Sequence, residues 1–333
     1  MTVKLAINGF GRIGRCVLRA LLEAKNSDIE IIAINDLGSI ETNAHLLQYD
    51  SVHGALSQEI HVSGDILTVG GKRIRVTNDR DPSALPWADI DIALECTGIF
   101  TKREAAARHL QNGSSRVLVS APATNADKTI VYGVNHDTLK SVDTIVSNAS
   151  CTTNCLAPIA KVLDDTFGIS TGYMTTIHSY TGDQPTLDTL HEDLYRARAA
   201  AMSMIPTSTG AAKAVGEVLP KLKGRLDGCA IRVPTPNVSA VDLCFSLERP
   251  ATVDDVNAAF IKAASGDLQG ILDASSAPLV SVDYNHNPHS SVVAMDQTRM
   301  TDAGMFRILS WYDNEWGFSN RMLDTAVAIH TAA

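Results

Sequence analysis

Val3-Lys4-Leu5-Ala6-Ile7-Asn8 runs into Gly9-Phe10-Gly11-Arg12-Ile13-Gly14, and this junction decides the fold. The first run alternates as a strand does, and the hexad is G-x-G-x-x-G. Arg12 to Ala24 then carries Ile13, Val17, Leu18, Leu21 and Leu22 at helical spacing, and Ile29 to Ile34 reads as a second buried strand. Strand, glycine turn, helix and strand make a βαβ unit with parallel strands. The pattern means little alone; the strand before it and the helix after it give it force. In that setting Gly9 permits the tight turn, Gly11 lets the backbone approach a pyrophosphate, and Gly14 lets helix and strand pack closely. The helix start offers free N–H groups to the phosphates. Asp36 ends the second strand 22 residues after Gly14. A carboxylate there accepts from ribose hydroxyls and repels a 2′-phosphate, so the expected cofactor is NAD.

Working outward, Gly54 to Val76 breaks into short alternating runs at Gly64-Asp65 and Gly70-Gly71, which predicts a β-meander. Regular alternation resumes with strands at Ile90–Leu94 and Arg116–Val119 around a helix at Lys102–Leu110. A further strand, Thr144-Ile145-Val146, ends in Ser147-Asn148-Ala149-Ser150-Cys151. The character then changes: a long helix over Thr152–Phe167, a strand at Tyr173–Ile177, and a polar stretch from Ser179 to Met204 with little period. Val241, Leu243, Phe245 and Leu247 alternate with polar residues as an antiparallel strand does. Thr252 and Asp255 start a helix that runs to about Ala264. The expected fold is α/β: a Rossmann-type domain over 1–150, an α+β catalytic domain with a mostly antiparallel mixed sheet over 151–315, and a C-terminal helix over 316–333.

The 333 residues are 45% hydrophobic, enough for two cored domains. A net charge of −9 without a Lys/Arg block argues against nucleic-acid binding as the main function. No apolar run is long enough for a membrane span, and the N-terminus reads as a strand rather than a signal peptide. Six cysteines without a C-x-x-C pair suggest free thiols in a reducing cytoplasm.

Cys151 stands where a strand ends, small polar residues turn the chain and a helix begins. A helix N-terminus lowers a thiol's pKa, which is how a nucleophilic thiolate is made. Cys155, one turn deeper, reads as a buried bystander, and the neighbouring Ser and Thr hydroxyls suit a phosphate. His178, in His178-Ser179-Tyr180-Thr181-Gly182-Asp183-Gln184, gains meaning as a base only if it lies near Cys151 in space. His286-x-x-His289 near Asp283 imitates a metal site but sits in an Asn/Pro-rich loop without further ligands; it reads as structural, and no metal is expected.

Together with Arg196-Ala197-Arg198-Ala199-Ala200, Ile231-Arg232-Val233-Pro234-Thr235 and Trp311 to Arg321, these segments make the chain resemble, end to end, the phosphorylating glyceraldehyde-3-phosphate dehydrogenases of bacteria. The resemblance implies Cys151 as nucleophile and His178 as base and thiolate partner. It implies dinucleotide contacts from Arg12, Ile13, Asp36, Arg80, Ser120 and Asn314. Ser150, Thr152, Thr209 and Gly210 would hold one phosphate; Thr181, Asp183, Arg196 and Arg232 would hold the other. The implied reaction oxidises glyceraldehyde 3-phosphate through a thiohemiacetal and a thioester, which inorganic phosphate releases as 1,3-bisphosphoglycerate. The implied assembly is a homotetramer, with Ser179–Met204 as interface loop. The rival within this resemblance is erythrose-4-phosphate dehydrogenase, echoed by Val280-Ser281-Val282-Asp283-Tyr284-Asn285-His286. Thr181 and Gly210 favour the triose enzyme, since that paralogue typically carries a bulky apolar residue and a lysine there. Leu37 matches the NAD-using pattern, whereas Thr189-Leu190 replaces a Leu-Pro common in NAD-using members. A rival of another class is a non-catalytic binding role, against which the intact site stands.

Overall fold

The computed structural model describes residues 2–24 and 28–332. The chain divides into two units: Met1–Ile130, His136–Ala149 and Ser319–Ala333 form one, and Val131–Asn135 with Ser150–Phe318 form the other. The short excursion Val131–Asn135 interrupts the expected first domain. It has a packing reason, since a Cβ at Gly133 would stand 3.2 Å from Ile271.

In the first unit, the described residues form a nine-stranded sheet. Its order is Lys128–Thr129, Ile145–Ser147, Arg116–Val119, Ile92–Glu95, Val3–Asn8, Ile29–Asn35, Lys72–Thr77, Ile66–Val69 and Ile60–Ser63. The pairs from Lys128–Thr129 to Lys72–Thr77 are parallel, and the last two pairs are antiparallel: the meander read from the glycine breaks. Parallel strands are covered on both faces, which is why Leu5, Ala6, Ile7, Ile34, Ala93 and Leu94 are all fully buried. Each large aliphatic among them stabilises the fold by roughly 1.5–3 kcal/mol. The helix expected over Lys102–Leu110 is instead two short ones, Arg103–Ala106 and Arg108–Gln111, because the backbone flattens to ψ −13° at Ala107. From the C-terminal helix Trp316–Thr331, Thr325 donates to the Asn148 side chain at 2.8 Å, and Ile329 O accepts from Arg116.

The second unit carries a mixed sheet in the order Ile205–Thr207, Leu226–Val233, Ile169–Ser179, Ser239–Leu247, Phe306–Tyr312, Ser291–Ala294 and Leu272–Ser275. Helix Cys151–Phe167 packs on it through a fully buried Cys155, Leu156, Ile159 and Leu163. Helix Val253–Ala264 opens with the capping box read from the sequence: Thr252 accepts from Asp255 N–H, and Asp255 accepts from Thr252 N–H. Such a cap contributes about 1 kcal/mol. Among the described residues, the stretch between Ser179 and Ile205 forms no regular element. Among the described residues, no helix is long and apolar enough to cross a membrane.

Candidate active site

In the first unit, the carboxyl ends of the parallel strands open on a cavity of about 430 Å³, lined by Asn8, Gly9, Gly11, Asp36, Arg80 and Thr97 among others. The three glycines differ physically. Gly9 has φ 91°, and a Cβ on it would lie 2.6 Å from Thr97 N. A Cβ on Gly14 would lie 2.3 Å from Gly9 O. Gly11 faces open space, with nothing within 4 Å of its would-be Cβ. Two glycines are therefore demanded by chain crossing, and the middle one leaves room beside the helix start for a pyrophosphate.

Asp36 does two things at once. Its Oδ2 accepts from Phe10 N–H and its Oδ1 from Gly38 N–H, both at 2.8 Å. It thus fixes the glycine turn while presenting a carboxylate to the cavity. Arg12 is committed elsewhere: its guanidinium pairs with Asp50, whose carboxyl burial would raise but Arg12 and the His53 and Val52 N–H groups pull down to about 2. Ile13 is half-buried at the helix start. The Ser120 hydroxyl bonds the Cys96 thiol, and burial pushes that thiol up to about 12, so it is no nucleophile. Open room at Gly11 and an acidic rim at Asp36 fit a dinucleotide with a free 2′-hydroxyl. Asp36→Ala should therefore lower kcat/KM with NAD by about tenfold or more, the effect of losing a hydrogen bond to a charged group. Because Asp36 also holds the turn, the NADP value should not rise to the wild-type NAD value. Steady-state assays with both cofactors measure it; an unchanged NAD-to-NADP ratio would remove Asp36 from cofactor choice.

In the second unit, neighbouring parallel strands put His178 and Arg232 in register, each next to the end of its strand. Cys151 opens the helix Cys151–Phe167, whose N-cap is Ser150. These elements bring Cys151 Sγ to 3.5 Å from His178 Nε2. On the other edge of the ring, His178 Nδ1 lies 2.7 Å from Ser179 O and 3.0 Å from Arg232 Nη1. With its proton on Nδ1, the imidazole donates to Ser179 O and leaves Nε2 bare toward the sulfur.

Burial raises the Cys151 thiol, and Arg232 with the Thr152 groups works against that rise. Burial, then the Arg232 charge, holds His178 at about 3. Each charge alone is thus penalised. Moving one proton from Sγ to Nε2 creates both charges together, so each stabilises the other, and the helix start favours the thiolate. Cys155 is fully buried against Ser291, and burial pushes its thiol up to about 12, so of the helix's two thiols only Cys151 has an imidazole beside it.

Around this pair, the polar residues fall into two groups. Thr181 donates to Asp183, Asp183 accepts from Arg196 at 2.9 Å, and Arg232 donates to Thr181 at 3.1 Å. Arg232 Nε is buried with no partner among the described residues, a donor left for an anion. In the second group, Ser150 Oγ accepts from Thr153 N–H at 3.1 Å, and Thr153 Oγ1 donates to Ala211 O. That contact sets the start of helix Ala211–Val218, with Gly210 as its N-cap and Thr209 Oγ1 accepting from Ala211 N–H, beside the start of the cysteine's helix. Gly210 has nothing within 4 Å of its would-be Cβ. Two helix starts and small side chains suit a phosphate. Thr152 departs from expectation: it is 4% exposed, and its hydroxyl meets Tyr312 at 2.9 Å rather than an open pocket.

Tyr312 itself was not singled out in the sequence. Its hydroxyl joins Thr152 and Thr176, each at 2.9 Å, and its ring stands edge-on to His178 at 6.0 Å. The signal was there in Trp311-Tyr312, but an aromatic at a strand end reads equally as packing. Asn314 Oδ1 accepts from Ser179 and Ser239, so its carboxamide is oriented from the strand that carries His178. His286 stacks on Trp316 with ring centroids 3.6 Å apart, and His289 Nδ1 meets Asn287 at 2.9 Å; both serve local structure.

A dinucleotide-type fold in one unit, and in the other a cysteine at a helix start 3.5 Å from a histidine, are the parts of an aldehyde dehydrogenase class that works through a covalent thioester. The NAD binding domain model of glyceraldehyde 3-phosphate dehydrogenase matches residues 3–103, and the model of its C-terminal domain matches residues 150–314. The glyceraldehyde-3-phosphate dehydrogenase of Cereibacter sphaeroides is 67% identical over 329 residues, covering 99% of each chain. That of Xanthobacter flavus is 64% identical over 331 residues, again 99% of each chain. That of Geobacillus stearothermophilus is 58% identical over 332 residues, covering 99% of this chain and 98% of its own. The chain belongs to the glyceraldehyde-3-phosphate dehydrogenase family, and its cofactor is NAD.

Proposed function

We propose that this enzyme oxidises glyceraldehyde 3-phosphate with NAD and inorganic phosphate, with Cys151, His178 and Arg232 as the working side chains. The single observation that carries the reading is the 3.5 Å approach of Cys151 Sγ to His178 Nε2, with Arg232 on the far side of the ring. As Sγ attacks the aldehyde carbon, the thiol proton passes to Nε2 and the C–S bond forms. Nε2–H then faces the new oxyanion and donates to it. NAD, when bound, supplies the hydride acceptor. As the carbonyl re-forms, Nε2 takes the hydroxyl proton back and Cys151 is left as a thioester. A phosphate oxygen attacks that carbon, the C–S bond breaks, the acyl phosphate leaves, and the freed sulfur takes its proton back from Nε2.

Two anion cradles follow from this sequence of steps. Thr181, Asp183, Arg196 and Arg232 are assigned to the substrate phosphate; Ser150, Thr209 and Gly210 to the attacking one. Arg232→Ala should weaken use of both substrate and phosphate, by about 10²–10³ if its bonds strengthen in the transition state as oxyanion donors do. Steady-state oxidation with and without phosphate tests the reading. Turnover beyond one burst should require phosphate. Fast phosphate-independent turnover with erythrose 4-phosphate preferred would transfer the assignment to the paralogue.

The subunits are assigned to a homotetramer working in the cytoplasm. Leu187, Leu190, Leu194, Met202 and Met204 are largely exposed on the loop between Ser179 and Ile205, an apolar surface that suits subunit contact. Light scattering at micromolar concentration tests the assembly.

A further inference from the structure

Behind the glycine turn lies a buried carboxylate that the chemistry above does not use. Strand register places Asn8 beside Asn35 on one side and Glu95 on the other. Glu95 is 1% exposed and His109 is 0% exposed. Glu95 Oε2 accepts from Asn8 Nδ2 at 2.7 Å and meets His109 Nε2 at 2.8 Å. Its Oε1 accepts from Thr97 N–H at 2.9 Å and from the Thr97 hydroxyl. Four donors on one buried carboxylate leave it fully satisfied.

His109 meets Glu95 through Nε2. Its Nδ1 has no partner among the described residues, whereas Nε2 faces a carboxylate oxygen and is the donor to it. The ring is held by stacking on Trp87, with centroids 5.5 Å apart and planes within 9°.

The network reaches the cavity by two routes. Thr97 lines it directly, and a Cβ on Gly9 would touch Thr97 N, so the two turns abut. Asn8 Oδ1 accepts from Asn35 Nδ2, which also donates to Asp79 O; Asn35 Oδ1 in turn accepts from Asp79 N–H and Thr77 Oγ1. Asp79 and Arg80 line the cavity as well. One carboxylate therefore ties together three separate loops of the cavity rim. We propose that Glu95, held by His109, is a positioning residue for NAD: it fixes the Gly9 turn, the Thr97 turn and the Asn35–Asp79 wall in the geometry the dinucleotide needs.

This rests on reading the cavity as the NAD site, which calorimetric titration of the wild-type chain with NAD checks by itself. Glu95→Gln keeps the shape but turns one acceptor oxygen into an NH2 that faces donors. In the full chain it should raise the NAD Kd by about tenfold or more, as the loss of charged hydrogen bonds does. The rate of Cys151 alkylation without NAD should stay as in the wild type, because that thiol is set by the second unit. A merely structural role would not produce this split. If Glu95→Gln fails to fold, His109→Phe decides: it keeps the stack on Trp87, loses the donor and should raise the NAD Kd several-fold, with His109→Gln recovering part of the loss. A folded Glu95→Gln, or in its absence His109→Phe, that binds NAD within about twofold of wild type would overturn the proposal. So would an equal fall in NAD affinity and in the alkylation rate.

Discussion

Cys151→Ser should lose oxidation by about 10⁴-fold or more, the scale on which covalent nucleophiles fail when replaced. The hydroxyl keeps the position but not the acidity, and the thioester that phosphate must attack cannot form. Cys155→Ala is the matching control. Its sulfur is buried against Ser291 and its thiol is held near 12, far from any reactive state. That variant should keep most of its activity while losing about 1 kcal/mol of stability from the small void left behind. Initial rates for both, with circular dichroism to confirm folding, make the measurement. A folded Cys155→Ala as inactive as Cys151→Ser would break the assignment of the nucleophile.

The second large effect belongs to His178. His178→Asn should lower turnover by about 10²–10⁴, the usual contribution of a positioned acid–base group. The pH behaviour of the thiol gives a sharper reading. In the wild type, a proton leaving Sγ has Nε2 to go to, 3.5 Å away. In the variant that acceptor is gone, and the burial that raises the thiol acts unopposed by a partner on the ring side. Alkylation of Cys151 should then reach its plateau at higher pH than in the wild type, since the reactive thiolate appears only above the thiol's raised pKa. Rates of reaction with a small uncharged alkylating reagent across pH 5–10 would measure this. Superimposable profiles would refute the proton-sharing pair, leaving His178 as a hydrogen-bond donor to the oxyanion alone.

How much of this was legible beforehand depended on distance along the chain. The glycine hexad, its flanking strand and helix, and Asp36 lie within 34 residues of Val3, and local sterics set their geometry. The helix start at Cys151 was likewise readable, because N-capping by Ser150 is a local hydrogen bond. The meander over 60–77 followed from glycine breaks, and the capping box at Thr252 from a spacing of three.

What the sequence by itself determined is therefore the βαβ unit with its dinucleotide turn, the cysteine at a helix start and the family to which the chain belongs. The tertiary structure alone decided that His178 reaches Cys151, that Arg232 sits on the far side of the ring, and that Thr152 turns its hydroxyl inward to Tyr312. It alone split the helix at Ala107, carried Val131–Asn135 into the second unit and placed His109, Glu95 and Asn8 in one buried cluster. The physical reason is register. Hydrophobic periodicity says that a segment is a strand and which of its faces is covered, but it does not say which strand lies beside it. His178 and Arg232 are 54 residues apart and become neighbours only when the strands Ile169–Ser179 and Leu226–Val233 pair in parallel. Asn8 and Glu95 are 87 apart and meet for the same reason. Polar side chains that act across paired strand ends leave no periodic trace in either segment, so the site's chemistry waits on the fold.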